Sequence, residues 1–383
     1  MKKVAIIGAG ISGLFFGNLL RQDSDYEITI YEKSNSINLE KGYGIQLSVN
    51  SIELLNKIGF QSLNSFNKFN PKKIDFYSLL KKNKICDLDI SNFNTEEAKY
   101  TTLQRSSLLE FLKEKLPSNL IQYNKKIKKV NDKNENIELT FEDNSSSVFD
   151  YLIISDGVFS STKSIIANKD IKPKYYNSIA IRGTIGKKDL IEIDYNNISL
   201  FLGSNFHSVI YPLSENNEFN FIGILRKNLS EDKLNNYSLF DNKEFISSII
   251  SDLSTQIDQN ILKNLKDIKC FPIFTSKEIY DPQQNNIFII GDAFFAFPPT
   301  FAQGASQSIE VAFELYESLK NNLNEFKDKR IERIKMINSR SKLNHFAFHL
   351  SNPFMIFTRD LIMKYLVKNK KFINSYLGKV YKN

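Results

Sequence analysis

Tryptophan is absent from this 383-residue chain, and it holds only two cysteines, three histidines and four methionines. Cys86 and Cys270 lie far apart and form no Cys-x-x-Cys pair, which excludes a disulfide framework and a dithiol redox centre and fits a reducing compartment. His345 and His349 have i,i+4 spacing, but Phe346 stands where the zinc-protease motif needs glutamate, so no metal is expected. No run of about 18 apolar residues exists, which argues against a spanning helix. Met1-Lys2-Lys3 leads straight into the apolar run Val4 to Ile7, too short for a signal-peptide core, so the expectation is a cytoplasmic protein that is neither cleaved nor exported. No repeat and no low-complexity linker interrupts the chain.

What is present suffices for a large core. With 42% hydrophobic and 13% aromatic residues, no long stretch reads as disordered. The length exceeds a comfortable single core, and without a clean boundary the expectation is two interleaved domains. The formal charge of +8 comes from lysines scattered along the chain, not from a basic patch, so no nucleic-acid partner is expected. The clustered exception runs from Phe354 to Lys371, where Ile356, Phe357, Leu361, Ile362, Tyr365 and Leu366 alternate with Arg359, Lys364, Lys368, Lys370 and Lys371. A basic amphipathic helix of this kind has two readings: peripheral contact with the inner face of a membrane, or a cap on the core with a solvated basic face.

Residues 2–7 read as a buried strand, 8–13 as a turn, 14–21 as a helix, and 26–31 as a second strand ending at Glu32, a βαβ opening. Two strands, 74–80 and 85–90, flank Lys81-Lys82-Asn83-Lys84 as a hairpin, and 106–116 reads as a helix stopped by Pro117. Three strands with polar turns at 132–136 and 143–147 fill 120–155. Residues 179–225 are mostly strand, with turns near Gly203-Ser204 and Glu215-Asn216-Asn217. Two helices and a strand around Cys270 follow, then a last buried strand at 286–290 and a helix at 303–319.

Gly8, Gly10 and Gly13 sit between a strand and a helix, the context of the dinucleotide fingerprint: one glycine for the turn, one for approach of the pyrophosphate, one for helix–strand packing. Ile11 and Ser12 open the helix, whose N–H groups and positive dipole end favour a diphosphate. Glu32 closes the second strand where an acid reaches the adenine ribose, with Lys33 beside it. Gly42-Tyr43-Gly44 lacks a third glycine and follows no strand, so a single dinucleotide site is expected. That argues against the disulfide-reductase branch, which carries a second nucleotide fold and a cysteine pair.

With these residues in view the chain resembles, over nearly its whole length, the FAD-dependent monooxygenases of the p-hydroxybenzoate hydroxylase group. Gly42-Tyr43-Gly44-Ile45, followed by Asn50 and Leu54-Leu55, is similar to the segment beside the isoalloxazine. Leu103-Gln104-Arg105 matches the family arginine at a helix start. The stretch from Tyr151 through Asp156-Gly157 to Ser160 looks like the Asp-Gly motif. Ile289-Ile290-Gly291-Asp292-Ala293, with Pro298-Pro299 and Gln303-Gly304-Ala305, is similar to the Gly-Asp motif.

The resemblance implies an α/β fold: a glutathione-reductase-type FAD-binding Rossmann domain (1–70, 100–170 and 280–325), an interleaved β-sheet substrate domain (71–99 and 171–279) and C-terminal helices (326–383). It implies FAD as cofactor, held by the fingerprint residues, Glu32, Lys33, Gly44, Ile45, Arg105, Asp156, Gly291, Asp292, Pro299, Gly304, Ala305 and Ser306. NADH or NADPH would act as transient reductant and O₂ as co-substrate, with oxygen passing through a flavin C4a-hydroperoxide to an aromatic or largely apolar small molecule. Asp292 at a strand end would accept from the ribityl hydroxyls, and the amides from Gly304 to Ser306 would favour negative charge on the flavin.

A reductase or oxidase of the same fold without oxygen insertion is the alternative, whereas the Trp-x-Trp-x-Ile-Pro segment of flavin halogenases cannot exist here. The sequence departs from the family at Phe294-Phe295, where Ala-His is common, at Ala302, where glycine is common, and at Val311, where aspartate is common. Phe294, Phe295, Phe297 and Phe301 either add apolar surface near the ring or pack in the core. Arg182, His207, Tyr211 and Phe295 are the candidates for the substrate cavity, each with a structural role as the competing reading.

Overall fold

A computed structural model of the chain describes all residues except 38, 40–42, 65–66, 134, 191–192, 215–216, 324 and 382–383. Gly42 and the turn residues Glu215 and Asn216 therefore lie outside the described residues.

The first six-residue strand, Lys2–Ile7, is buried from Val4 onward and forms the centre of a five-stranded parallel sheet. Tyr151–Ile154 pairs on one side of it (Val4 opposite Tyr151) and Tyr26–Tyr31 on the other (Val4 opposite Ile28), with Ile287–Ile289 and Ile121–Gln122 outermost. A parallel strand covered on both faces must be apolar without alternation, which explains the run Val-Ala-Ile-Ile. The following helix, Ile11–Leu20, buries nine of its ten residues. The side chain of Asn18, buried among them, donates to Leu14 O at 2.9 Å and Leu112 O at 2.7 Å, which lashes the helix to its neighbour Arg105–Glu114.

Residues 127–149 form a three-stranded antiparallel meander, so the stretch from 120 to 155 holds five short strands rather than three. The other two belong to the parallel sheet, Ile121–Gln122 at its edge and Tyr151–Ile154 beside the central strand. The expected hairpin is present as Lys73–Ser78 and Asn83–Asp89, and it belongs to a seven-stranded sheet with Ile198–Leu202, Phe206–Pro212, Glu218–Arg226, Lys174–Gly186 and Lys266–Thr275.

Side-chain alternation divides that sheet into two faces. Phe206 and Ile210 pack with Ile179, Ile181 and Phe221 into a core covered by the helices Lys243–Leu253 and Gln259–Asn264. His207, Val209 and Tyr211 point to the opposite face and line a cavity. The 17-residue helix Gly304–Lys320 packs on Ile11–Leu20 below the cavity. Helices Phe326–Phe348 and Pro353–Leu366 close its far side. Among the described residues no helix is long and apolar enough to cross a membrane.

Candidate active site

The glycine turn is built for close approach. Gly8 adopts φ +104°, and a Cβ there would stand 2.6 Å from Ser155 O. A Cβ on Gly13 would stand 2.1 Å from Gly8 O, so Gly13 serves helix packing, whereas a Cβ on Gly10 would meet no atom of the described residues within 4 Å and would enter the groove itself. Glu32 closes the turn from the side, its Oε2 accepting from Ala9 N and its Oε1 from Ser34 N, both at 3.0 Å. Lys33 is exposed at the same edge.

Across the groove, Gly291 takes φ +63° at the end of the last parallel strand, and Asp292 follows in a tight helical turn with its side chain open to the groove. Crowding by the surrounding protein pushes its pKa up to about 6, while the Arg105 guanidinium pulls the other way. Arg105 heads its helix, anchored through its N–H to Tyr43 O at 3.1 Å, with its side chain also open to the groove.

Asp156 is more deeply set. One carboxylate oxygen accepts from Thr162 Oγ1 at 2.8 Å, and the buried Oδ1 has no partner among the described residues. Lys163 Nζ donates to Ala293 O at 2.8 Å and ties the Asp-Gly segment to the Gly-Asp turn. Ser306 spends its hydroxyl as acceptor for Ser48 N and on Ser51 Oγ, both at 3.0 Å, so its backbone N–H is what remains for a ligand.

These residues fit FAD. The open cradles at Gly10 and Gly304, with Asp156 Oδ1 and the buried Gln303 Nε2, neither of which has a partner among the described residues, lie along a groove that begins at a helix N-terminus and ends at another. Gly8 to Gly13 and Glu32 would hold the diphosphate and adenosine, Asp292 the ribityl chain, and Gly304 to Ser306 with Gly44 and Ile45 the ring.

A cavity of about 860 Å³ adjoins that ring position. Gly44, Ile45, Pro299, Gly304 and Ala305 line it on the groove side, and Arg182, His207 and Tyr211 on the sheet side. Gly44 is required where it is: its N–H donates to Asn220 Oδ1 at 2.7 Å, and a Cβ would stand 2.5 Å from Leu213 Cδ2. Arg182 lies 5.7 Å from the centre of the Tyr43 ring. Burial lowers its pKa, with Tyr211 and Tyr43 acting in the opposite sense, but a guanidinium keeps its charge. Burial likewise raises the Tyr211 hydroxyl, Arg182 opposing.

Phe295 does not reach the cavity. The turn Gly291–Ala293 accepts N–H bonds from residues 294 and 295 at Gly291 O, which swings Phe294 and Phe295 back into the core beneath the parallel sheet. Phe297 and Phe301 reach the cavity instead. Two contributors went unremarked in the sequence. Gln46 accepts from Tyr100 OH at 2.8 Å on the cavity wall, a place that strand alternation from Gly44 would have assigned it. Glu310 is a buried hub receiving Asn50 Nδ2 at 2.8 Å, Arg330 at 3.0 Å and Arg333 at 2.7 Å, which no local pattern announces.

Residues 1–334 match the family described as the FAD binding domain. The chain belongs to this family. It is an FAD-dependent monooxygenase of the p-hydroxybenzoate hydroxylase type. Among its relatives are 3-amino-4-hydroxybenzoate 2-monooxygenase PtnB3 of Streptomyces platensis, 21% identical over 91% of this chain and 89% of the relative, and 6-hydroxynicotinate 3-monooxygenase of Bordetella bronchiseptica, 22% identical over 96% and 98%. Among solved structures, Klebsiella pneumoniae HpxO complexed with FAD and uric acid has the same fold, with a TM-score of 0.82 at 16% identity over 99% of this chain and 96% of that one.

Proposed function

We propose that this flavoprotein monooxygenase hydroxylates a single aromatic ring that carries one acidic or hydroxyl substituent and is otherwise apolar. The observation that carries this is the position of Arg182, a cation on an apolar cavity wall whose neighbours among the described residues include the Tyr43 and Tyr211 side chains and no paired carboxylate. A phenolate or carboxylate on the substrate would supply the missing counter-charge, while Phe297, Phe301, Val209 and Ile222 take the ring faces. Each fully buried ring contributes about 1.5–3 kcal/mol, so the wall disfavours a small polyanion. The relatives' named substrates, 3-amino-4-hydroxybenzoate and 6-hydroxynicotinate, are likewise single aromatic rings with an acidic group, though each carries further polar substituents.

Bound FAD supplies the redox chemistry, with a nicotinamide nucleotide as reductant and O₂ as oxygen source. The chain's own residues hold the ring in place, exclude water and orient the acceptor: Arg182 and Tyr211 fix the polar end, and Asp292 and the amides after Gln303 fix the cofactor. For the C-terminal segment, we propose peripheral contact with a membrane rather than a solvated cap.

Nicotinamide oxidation by the purified holoprotein across a panel of phenols, hydroxybenzoates and small aliphatic acids tests the substrate class. Stimulation by ring acids and phenols, lost in Arg182→Met through a raised KM, supports it. Stimulation by the aliphatic acids alone contradicts it.

A further inference from the structure

The helix Pro353–Leu366 turns an ion pair inward and most of its large apolar residues outward. Its buried residues are Ile356, Arg359 and Asp360. Arg359 donates to Asp360 Oδ1 at 2.8 Å and to Ala347 O at 3.2 Å, and Lys81 reaches Asp360 Oδ2 at 3.2 Å. Asn352 caps the start by accepting from Phe354 N and Met355 N. Held by this ion-pair stripe, the helix presents Phe354, Phe357, Leu361, Ile362 and Tyr365 outward, Phe354 at 77% and Tyr365 at 70% exposure. An apolar face this continuous marks a binding surface.

Charge and continuity identify what covers it. Between Lys342 and Lys379 the sole acid is Asp360, which is buried and paired, whereas Lys364, Lys368, Lys370 and Lys371 are all exposed around the apolar face. Apolar rings with a lysine rim complement an anionic lipid surface. Phe354, Met355 and Ile362 are exposed and also line the substrate cavity, while Phe357, Leu361 and Tyr365 are exposed and away from it. The rim of the cavity and the docking face are therefore one surface.

We infer that this face docks on anionic lipid and that the cavity opens there into the acyl-chain region, so the ring enters from the bilayer with its polar substituent leading toward Arg182. The inference rests on the substrate class proposed above and narrows it to rings that partition into lipid. Such a substrate never has to cross water to reach the cavity.

The absence of tryptophan provides the probe. Phe354→Trp, Phe357→Trp and, as a control on the exposed meander, Val148→Trp each give the FAD-loaded protein one indole. Vesicles of phosphatidylglycerol and phosphatidylcholine with brominated acyl chains should quench the indoles at 354 and 357 and spare the one at 148. Binding should weaken about tenfold or more in phosphatidylcholine alone or at high salt. Adding Leu361→Glu with Tyr365→Glu should abolish quenching at 354 while FAD content and turnover of the water-soluble 4-ethylphenol stay unchanged. With 4-nonylphenol delivered in the same vesicles, half-saturation of nicotinamide oxidation should rise about tenfold in that double variant.

Vesicle binding without quenching at 354 would overturn the lipid-side entrance. No binding, together with a dimer in solution that shields Phe357→Trp, would show that a second copy covers the face. Lack of stimulation by either phenol in the unaltered protein would instead sink the substrate class, whatever the vesicles do.

Discussion

Nδ1 of His207 lies 3.1 Å from Nε2 of His349, joining the substrate sheet to the end of the long C-terminal helix across 142 positions of sequence. His345 completes the group, its ring centre 4.1 Å from that of His349. All three histidines of the chain thus meet in one buried cluster. His349 Nδ1 faces His345 O at 2.8 Å and its Nε2 faces Ile224 O at 3.1 Å as well as His207, so the neutral ring, with one N–H, can donate to only one of the two carbonyls. Burial holds His207 well below the ordinary imidazole value, and it pushes His349 down to about 4 and His345 to about 3, with Arg226 acting in the same sense on both.

Imidazoles of the unfolded chain titrate near 6.5, so below that pH the unfolded state binds more protons than the folded one. Stability should be full above about pH 6.5 and fall as the pH drops toward 4, by up to about 1.4 kcal/mol per pH unit for each histidine. Asp292, raised to about 6, runs the other way in the same window, but its side chain is open to the groove and weighs less. Urea unfolding of the unaltered protein and of His349→Gln at pH 7.5, 6 and 5 checks this: the variant should show the flatter profile. Equal slopes would mean that the cluster titrates as it does in the unfolded chain.

Gly10 and Gly13 should separate binding from folding. A side chain at Gly10 enters the groove without touching protein, so Gly10→Val should fold normally and lose FAD. Gly13→Ala should lose the fold, because its Cβ would stand 2.1 Å from Gly8 O. Circular dichroism with FAD titration on both variants decides. A Gly10→Val protein of normal FAD affinity would place the pyrophosphate elsewhere.

Asp292→Ala should weaken FAD by about 1.5–3 kcal/mol, roughly tenfold to hundredfold, through loss of a charge-assisted bond. Since the carboxyl is pushed up to about 6, FAD affinity of the unaltered protein should decline as the pH falls from 7.5 to 5, and Asp292→Asn should flatten that dependence. Flavin-fluorescence titrations at the two pH values measure both. An affinity that rises on acidification would contradict the assignment.

Ala302 sits at φ +51°, ψ +33°, the left-handed region that costs an L-residue about 1–2 kcal/mol. This geometry explains why glycine is common in the family at this position. Ala302→Gly should raise stability by about 1 kcal/mol, the gain being trimmed by glycine's greater freedom when unfolded. Thermal unfolding that shows a lower midpoint would mean the methyl group packs usefully.

Much of the cofactor side was legible in the sequence because its requirements are local. A buried strand, a tight turn and a helix start each leave a pattern in a few adjacent residues, as Lys2–Ile7, Gly8 to Gly13 and Gly291-Asp292 do. The cavity wall was less legible, since its parts meet through sheet register: Arg182 comes from Lys174–Gly186, and His207 and Tyr211 come from Phe206–Pro212, two strands held apart by Glu218–Arg226. Phe295 shows the limit, because one turn of backbone decided whether it faced the ring or the core. The histidine cluster and the Glu310 hub join residues far apart in sequence, and periodicity carries no signal for such pairings.

Oxygen transfer from O₂ to an aromatic ring can be followed atom by atom with isotopically labelled O₂. The FAD-loaded protein, a reduced nicotinamide nucleotide and a stimulating phenol from the panel would be incubated under labelled O₂ and the products weighed by mass spectrometry. The expected product is the ring carrying one labelled oxygen atom for each nicotinamide oxidised, with the second atom in water. Nicotinamide oxidation with the ring unchanged and the label in hydrogen peroxide, for every ring that stimulates turnover, would rule out oxygen transfer to the ring.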